Sequence, residues 1–376
     1  MAQRKTPAAF YRGGTSKGVL FQPKDLPQDR DERDRMLLHI LGSPDPYKRQ
    51  LDGMGGGLSS VSKALWVERS RRNDADIDYT FAQIAVDAPV VDYSANCGNM
   101  STAIAPFAVE EGIVPLPDGD AVVRMFNTNT GICVHSHFRV ADGQAVTEGD
   151  FQLPGVPGTG APIRLEFKDP SQVTGRGLLP TGQVQEIISV PGFGDVPVSI
   201  VDAVSLVVFA PAEIFGLTAT ERPEEIEERS DIMAAIEAIR RESAVRAGFA
   251  EGVSDVPMAA PRVALVAAPA SFVSLDGCTH EAASHDIAVR MVSLSTIHRA
   301  VMGTAAMCLA AAVQVPRSVP NDCVADFAGD AVRLGNPSGV TVMGAKVSEC
   351  EGRWRAENTT VVRTCRRLMD GFVYHP

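Results

Sequence analysis

Several features are scarce or missing in this chain of 376 residues. Aromatic residues make up only 6% of it, and no run reaches the roughly 20 apolar residues that a membrane-spanning helix needs. Acidic residues outnumber basic ones by 46 to 35, which gives a formal net charge of −11. Such an acidic chain argues against nucleic acids or anionic membranes as partners. An anionic ligand would therefore need a local site of backbone N–H groups and a few Lys or Arg side chains.

Paired cysteines are also absent. The cysteines are odd in number and none is spaced Cys-x-x-Cys; they are Cys97, Cys133, Cys278, Cys308, Cys323, Cys350 and Cys365. This pattern argues against a disulfide framework or a zinc ribbon. The first residues also lack the long apolar stretch of a secretory signal. We therefore expect a cytoplasmic protein.

Motifs for phosphate, dinucleotide and zinc chemistry are missing as well. No Walker A loop, Rossmann glycine fingerprint or His-Glu-x-x-His helix occurs in the sequence. His135 and His137 alternate along a predicted strand, and the sequence offers no third ligand beside them. We therefore expect no metal and no cofactor.

Many short β-branched runs bounded by Gly, Pro, Asn or Asp predict a sheet-rich chain with few helices. We predict strands over 8–11, 18–21, 64–68, 79–86, 122–127, 132–140, 163–167, 186–190, 196–209, 262–267, 288–294, 331–334, 339–347 and 359–367. We predict helices over 29–41, 101–111, 221–247 and 304–312. A Gly- and Pro-rich stretch near the midpoint predicts two similar domains, 1–182 and 183–376.

Cys97 lies between an extended run and the predicted helix 101–111. A thiol at a helix N-terminus meets the positive end of the macrodipole and unpaired N–H groups, and both favour the thiolate. The same N–H groups, with Gly98 allowing close approach, can seat a carboxylate. The simpler interpretation is a small buried apolar residue.

Three further stretches combine glycine with polar residues. Residues 53–63 carry four glycines, three serines and then Lys63, a composition that suits an anion cradle or a plain surface loop. Residues 12–18 suit a hairpin turn. Arg299 precedes the predicted helix 304–312 and is a candidate carboxylate clamp.

As a set, these residues resemble the PrpF-like proteins, the 2-methylaconitate cis–trans isomerases of the diaminopimelate epimerase-like superfamily. The matching segments occur in family order from end to end; they are 12–18, 52–56, 59–63, 96–99, 298–299 and 336–339. The resemblance implies an α+β fold of two similar domains, each a mostly antiparallel sheet wrapped around a central helix. It also implies an active site in the cleft between the domains.

The resemblance further implies proton transfer without a cofactor. Epimerases of the superfamily use two cysteines, one at each central helix; Cys97 matches the first, but Met302 stands at the second position and cannot transfer protons. This departure argues against an amino-acid epimerase. Lys63 is the implied acid/base residue, and Cys97 is either a second one or part of a carboxylate seat. The implied substrate-binding residues are Thr15, Ser16, Lys17, Gly55, Gly56, Ser59, Ser60, Ser62, Asn96, Gly98, Asn99, Arg299, Gly303 and Thr304.

Three functions remain open on the sequence alone. The first is 2-methylaconitate isomerisation in propionate catabolism through the methylcitrate cycle. The second is 4-oxalomesaconate tautomerisation or methylitaconate Δ-isomerisation with the same residues. The third is a non-catalytic polycarboxylate-binding protein that assists an aconitase-like dehydratase. A homodimer is the default assembly.

Overall fold

The computed structural model describes residues 3–93, 96–257, 260–293, 296–325, 327 and 329–376. Strands dominate it, as the short β-branched runs predict. In chain order they are β1 (Arg4–Gly13), β2 (Ser16–Phe21), β3 (Lys63–Arg69), β4 (Ile77–Ile84), β5 (Val91–Asp92), β6 (Gly119–Asn127), β7 (Cys133–Ala141), β8 (Gln144–Ala145), β9 (Phe151–Gln152), β10 (Thr159–Gly160), β11 (Ile163–Lys168), β12 (Glu186–Val190), β13 (Gly194–Ala203), β14 (Ser205–Pro211), β15 (Arg262–Ala267), β16 (Phe272–Val273), β17 (Thr279–His280), β18 (Ile287–Ser293), β19 (Thr296–Ile297), β20 (Ala331–Asn336), β21 (Gly339–Cys350), β22 (Arg353–Arg363) and β23 (Cys365–His375).

The α-helices of the described residues are few and mostly short. They are α1 (Arg30–Leu41), α2 (Ser101–Glu110), α3 (Pro223–Glu227), α4 (Ser230–Arg246), α5 (Gly303–Val313) and α6 (Val319–Asp322). None of these helices has the length and apolar character needed to cross a membrane.

The chain divides into two compact units. Unit 1 comprises Met1–Glu166 and Val362–Pro376, and unit 2 comprises Phe167–Val361. These bounds differ from the predicted domains 1–182 and 183–376. Part of the difference comes from β23, which pairs antiparallel with β1 along its whole length and so belongs to unit 1. The sequence analysis ended its last strand at residue 367 and did not anticipate this return.

The two units repeat one sheet topology. The strand order in unit 1 is β23-β1-β2-β3-β4-β6-β7, and in unit 2 it is β12-β13-β14-β15-β18-β20-β21. In both orders the first two pairings are antiparallel, the third is parallel, the fourth antiparallel, the fifth parallel and the sixth antiparallel. This internal repeat agrees with the predicted similarity of the two halves.

Each unit has one nearly fully buried helix. In α2 every residue from Ser101 to Val109 is buried, and in α5 every residue from Ala305 to Val313 is buried. Their Ala-rich sequences suit this position, because small side chains allow the surrounding strands to approach closely. The predicted helices 101–111 and 304–312 are thereby confirmed to within one residue at each end.

Two predicted elements are each split in the structure. The helix predicted over 221–247 is broken into α3 and α4, because Arg229 has a non-helical backbone with φ −88° and ψ 82°. The first of these helices begins at Pro223, after the N-cap residue Arg222. The strand predicted over 196–209 is an antiparallel pair, β13 and β14, joined at Val204 with φ 63°.

Candidate functional site

Lys63 lies at the start of β3, where three strands of unit 1 meet. The antiparallel register places it opposite Gln83 of β4, and the parallel pairing of β2 with β3 brings Gly18 against its backbone. A Cβ atom at Gly18 would lie 2.9 Å from the Lys63 carbonyl oxygen, which explains the glycine. The lysine is only 6% exposed, and its Nζ donates a hydrogen bond to Gln83 Oε1 and lies 5.2 Å from the centre of the Phe81 ring. The strand register therefore fixes a buried amine.

Burial lowers the pKa of Lys63 below its ordinary value, while the nearby charge of Cys97 acts in the opposite direction. Within the described part of the chain, Lys63 forms no ion pair with a carboxylate. A lysine in this environment reaches its neutral, basic form at lower pH than an exposed lysine does. This direction suits a general base, and the catalytic role of Lys63 stays a prediction.

Gln83 holds the lysine in place and was missed by the sequence analysis. Its Nε2 donates to the carbonyl oxygens of Ser62 at 2.9 Å and Ser59 at 3.0 Å, which leaves Oε1 directed at the amine. A glutamine within an alternating strand gives no signal of its own in the sequence, because only the cross-strand register shows its partner. Gln83 therefore orients Lys63 and joins it to the serine-rich turn.

We expect Gln83→Leu to move the rising limb of kcat against pH to lower pH. Gln83 Oε1 accepts from the Lys63 amine and stabilises its charged form, so removing it lowers the pKa of Lys63 further. A hydrogen bond to a charged group contributes about 1.5–3 kcal/mol, so a shift of about one pH unit or more is expected. Gln144→Leu, at an exposed position, is the control. A limb that stays at the wild-type pH would show that the hydrogen bond does not tune the amine.

The turn that carries Cys97 is held by side chains. Asn96 Oδ1 accepts from the Cys97 N–H at 2.8 Å, and Asn96 Nδ2 donates to the Tyr79 hydroxyl at 2.9 Å. Ser101 Oγ lies 3.1 Å from that hydroxyl and 3.0 Å from the Cys97 carbonyl oxygen. Both ends of the Asn96 amide are thus bound within the protein, and its predicted substrate contact stays a prediction. Asn96 shapes the turn.

The backbone after Cys97 offers donors for an anion. Helix α2 begins at Ser101, whose N–H bonds to the Cys97 carbonyl oxygen at 2.9 Å. Among the described residues, the N–H groups of Gly98, Asn99 and Met100 have no protein acceptor. These groups lie at the positive end of the helix dipole, so the predicted carboxylate seat agrees with the local geometry.

The hairpin between β1 and β2 packs directly on this turn. A Cβ atom at Gly13 would lie 2.7 Å from the Asn99 carbonyl oxygen, and one at Gly14 would overlap the Asn99 side chain. Gly14 also has φ +51°, which glycine adopts without strain. Asn99 Nδ2 donates to Thr15 Oγ1 at 3.1 Å. Three segments singled out in the sequence, around Thr15, Lys63 and Cys97, therefore meet within unit 1.

The glycine-rich loop is folded around Gln50. Gln50 Oε1 accepts from the Gly57 N–H at 3.0 Å, and its Nε2 donates to Ser62 Oγ at 2.7 Å. A Cβ atom at Gly55 would overlap the Gln50 amide. Ser62 is fully buried and its hydroxyl is held by Gln50, so we leave Ser62 out of the substrate site. Close packing against Gln50 is therefore one reason for the glycines in this loop, in addition to the predicted anion cradle.

Other predicted binding residues have different surroundings. Ser59 and Ser60 lie on a short 3-10 turn, Gly56 lies close to Val61, and Lys17 lies over the Phe10 ring. Ser16 is buried in β2 and Gly98 is half-buried in the Cys97 turn. Their roles in binding stay predictions.

Arg299 already has carboxylate partners in unit 2. Its guanidinium lies 3.0 Å from a Glu227 oxygen and 3.2 Å from a Glu224 oxygen. The predicted role as a carboxylate clamp did not anticipate these partners, and we leave Arg299 out of the substrate site. Gly303 and Thr304 form the first turn of α5 as predicted, with Met302 before them. Their joining with the residues of unit 1 stays a prediction.

Arg262 is a second residue that the sequence analysis missed. It is the first residue of β15, the fourth strand in the sheet order of unit 2. Lys63 is likewise the first residue of β3, the fourth strand in the sheet order of unit 1. Its Nη1 donates to Ser205 Oγ at 2.8 Å, and within the described residues its buried Nε has no partner. Burial lowers the pKa of Arg262, and burial and this cation together lower the pKa of His298. Unit 2 thus carries its own half-buried cation beside the segment before α5.

His135 and His137 do have a third polar neighbour. Glu166 of β11 joins them, the ligand atoms of the three lie within 4.8 Å of one another, and His137 Nε2 lies 3.2 Å from a Glu166 oxygen. The sequence did not show this, because Glu166 is 29 positions from His137. The hydrogen bond between His137 and Glu166 accounts for their approach without an ion. The absence of a metal requirement stays a prediction.

Comparison with known proteins covers the whole chain. Residues 3–376 match the family model described as PrpF protein. A 2-methyl-aconitate isomerase from Cupriavidus necator is 37% identical over 387 residues, covering 100% of this chain and 98% of that protein. The crystal structure of methylitaconate-delta-isomerase aligns with a TM-score of 0.90 and 36% identity, covering 100% of this chain and 96% of its own.

A more distant solved structure bears on the fold alone. A hydroxyproline epimerase from Agrobacterium vitis aligns with a TM-score of 0.52 at 13% identity, covering 100% of this chain and 92% of its own. These likenesses confirm the predicted α+β, diaminopimelate epimerase-like fold. The chain belongs to the PrpF protein family, and it is an isomerase.

Proposed function

We propose that the protein isomerises an unsaturated tricarboxylate without a cofactor, and that 2-methylaconitate cis–trans isomerisation is its reaction. The observation that carries this proposal is the buried Lys63 amine, with its lowered pKa, in the same unit as a turn whose N–H groups have no acceptor among the described residues. The 37% identity to a 2-methyl-aconitate isomerase over the full chain supports the choice of substrate.

The mechanism needs a base and a seat for negative charge. Neutral Lys63 removes an allylic proton, which conjugation to a carboxylate has made acidic. The electron pair delocalises onto carboxylate oxygens, where the N–H groups of Gly98, Asn99 and Met100 stabilise it as preorganised donors. Rotation about the former double bond and return of the proton from the Lys63 ammonium give the isomer.

Cys97 has two roles consistent with this scheme. As a proton carrier it would return a proton to the delocalised carbanion in place of the Lys63 ammonium, and the thiolate would then regain a proton from solvent while Lys63 loses its own. As part of the carboxylate seat it would only line the turn beside Gly98. A Coulombic effect of Cys97 on the pKa of Lys63 supports placing the two groups in one site.

A second candidate function has specific support. The likeness to methylitaconate-delta-isomerase at 36% identity favours a double-bond shift, which uses the same base and donors but returns the proton to a different carbon. Tautomerisation of 4-oxalomesaconate follows the same chemistry. The link to an aconitase-like dehydratase and the homodimer stay predictions.

Separate assays with 2-methyl-cis-aconitate, a methylitaconate and 4-oxalomesaconate distinguish these reactions. We expect 2-methyl-cis-aconitate to give the highest kcat/KM, with the trans isomer as the product seen by proton NMR. A higher kcat/KM for either other compound would reassign the substrate. Binding of trans-aconitate with no turnover of any of the three would instead favour the non-catalytic binding protein.

A further inference from the structure

Arg363 is a half-buried cation that borders the Cys97 turn. It is the last residue of β22 and belongs to unit 1. Its Nε donates to Asn99 Oδ1 at 3.3 Å, and its Nη1 donates to its neighbour's carbonyl oxygen, that of Val362, at 2.9 Å. Since Asn99 Nδ2 donates to Thr15 Oγ1, one amide connects the guanidinium to the hairpin.

The backbone beside Arg363 is anchored to the same hairpin. The carbonyl oxygen of Thr364 accepts from the Gly14 N–H at 2.9 Å and from Arg12 Nη1 at 2.8 Å. These hydrogen bonds fix the backbone that carries the Arg363 side chain. They hold it against the hairpin that packs on Asn99.

The charge of Arg363 is not neutralised by the protein. Arg367, four residues later, pairs with Glu110 at 3.2 Å and with Glu111 at 2.7 Å. Among the described residues, Arg363 forms no ion pair, and burial alone lowers its pKa to about 10. A cation taken out of water without a counter-ion is costly unless a ligand supplies the opposite charge. The location of this charge, one hydrogen bond from the Cys97 turn, points to an anionic ligand there.

We propose that Arg363 binds one carboxylate of the substrate beside Lys63, together with the N–H groups of Gly98 and Asn99. The proposal rests on the proposed function, since it names the residue that recognises the polycarboxylate. Guanidinium suits this role because its planar N–H groups bind a carboxylate in a fixed geometry, which a lysine cannot reproduce. Arg363 is a binding residue in this scheme, and it moves no proton.

The test compares Arg363→Gln and Arg363→Lys with Arg366→Gln, an exposed arginine three residues away. Titration calorimetry measures the Kd of trans-aconitate, and steady-state assays measure KM and kcat. We expect Arg363→Gln to raise both Kd and KM by about 10- to 100-fold, as for loss of a charge-assisted hydrogen bond. Arg363→Lys should recover only part of the affinity, and Arg366→Gln should match the wild type.

This design tests ligand binding and turnover separately. If the wild type binds trans-aconitate but isomerises none of the three compounds, the proposed function fails while the Kd values still test Arg363. A Kd for Arg363→Gln within twofold of wild type, in protein whose thermal unfolding is unchanged, overturns the assignment. If Arg363→Gln does not fold, Arg363→Lys is the deciding variant. Wild-type Kd and KM in Arg363→Lys would also overturn the assignment, because a fixed guanidinium geometry would then be dispensable.

Discussion

Lys63→Ala is expected to lower kcat by at least about 100-fold, the low end for loss of a general acid–base group. The reason is that the structure provides one buried amine beside the Cys97 turn, held by Gln83 and with its pKa lowered by burial. Activity of the wild type should rise with pH as Lys63 loses its proton, and the limb should lie below the range of an exposed lysine. Steady-state assays across neutral and alkaline pH measure both effects.

Lys24→Ala is the matched control for this variant, because Lys24 is an exposed lysine of the same unit. It should keep wild-type kcat. Removing Lys63 leaves a small cavity among buried residues, so circular dichroism and thermal unfolding must show that the variant is folded. A folded Lys63→Ala protein with near wild-type kcat would remove Lys63 from the mechanism.

Cys97→Ser is expected to have the second-largest effect, and it distinguishes the two roles of this residue. If Cys97 carries a proton, the variant should lose most turnover, by about 100-fold or more, while keeping its affinity for trans-aconitate. If Cys97 only lines the carboxylate seat, turnover should largely persist. Parallel measurement of kcat and of the Kd for trans-aconitate decides between them.

Alkylation of the wild-type protein tests the same site chemically. Burial raises the pKa of the Cys133 thiol, and it raises those of Cys323 and Cys365 to about 12, so these thiols should react slowly. Cys278 and Cys350 are exposed and should react irrespective of ligand. Only Cys97 should be protected by trans-aconitate, as read by peptide mass spectrometry. Equal labelling of Cys97 with and without ligand would contradict its placement in the site.

The central helices could be predicted from the sequence because burial and local pattern agree there. Each is an uninterrupted Ala-rich apolar run that follows a small-residue turn, and both begin within one residue of the predicted start. The break in 221–247 could not be predicted in this way, because Ile226 and Ile232 belong to two helices, of 5 and 17 residues, whose apolar residues form one continuous pattern in the sequence. The turn at Val204 contains neither glycine nor proline, the strongest turn signals.

The candidate site was partly visible in the sequence and partly not. Gly13, Gly14 and Cys97 could be singled out from the sequence, because each lies in a short motif whose residue types suit the local backbone. Gln83 and Arg363 carry no such mark, because their importance arises from strand register and from contacts over long separations, 20 positions for Gln83 with Lys63 and 264 for Arg363 with Asn99. Asn96 and Ser62 were expected to face substrate, and their side chains instead bind Tyr79 and Gln50, 17 and 12 positions away.

Deuterium incorporation from solvent reports directly on proton transfer by Lys63. The reaction of 2-methyl-cis-aconitate in D2O is followed by proton NMR with wild type and with Lys63→Ala at the same concentration. A lysine ammonium carries three exchangeable hydrogens, so an abstracted proton is mixed with deuterium before it returns. The account predicts deuterium at the allylic carbon with wild type and none on the same timescale with Lys63→Ala. Deuterium incorporation by Lys63→Ala at the wild-type rate would contradict it.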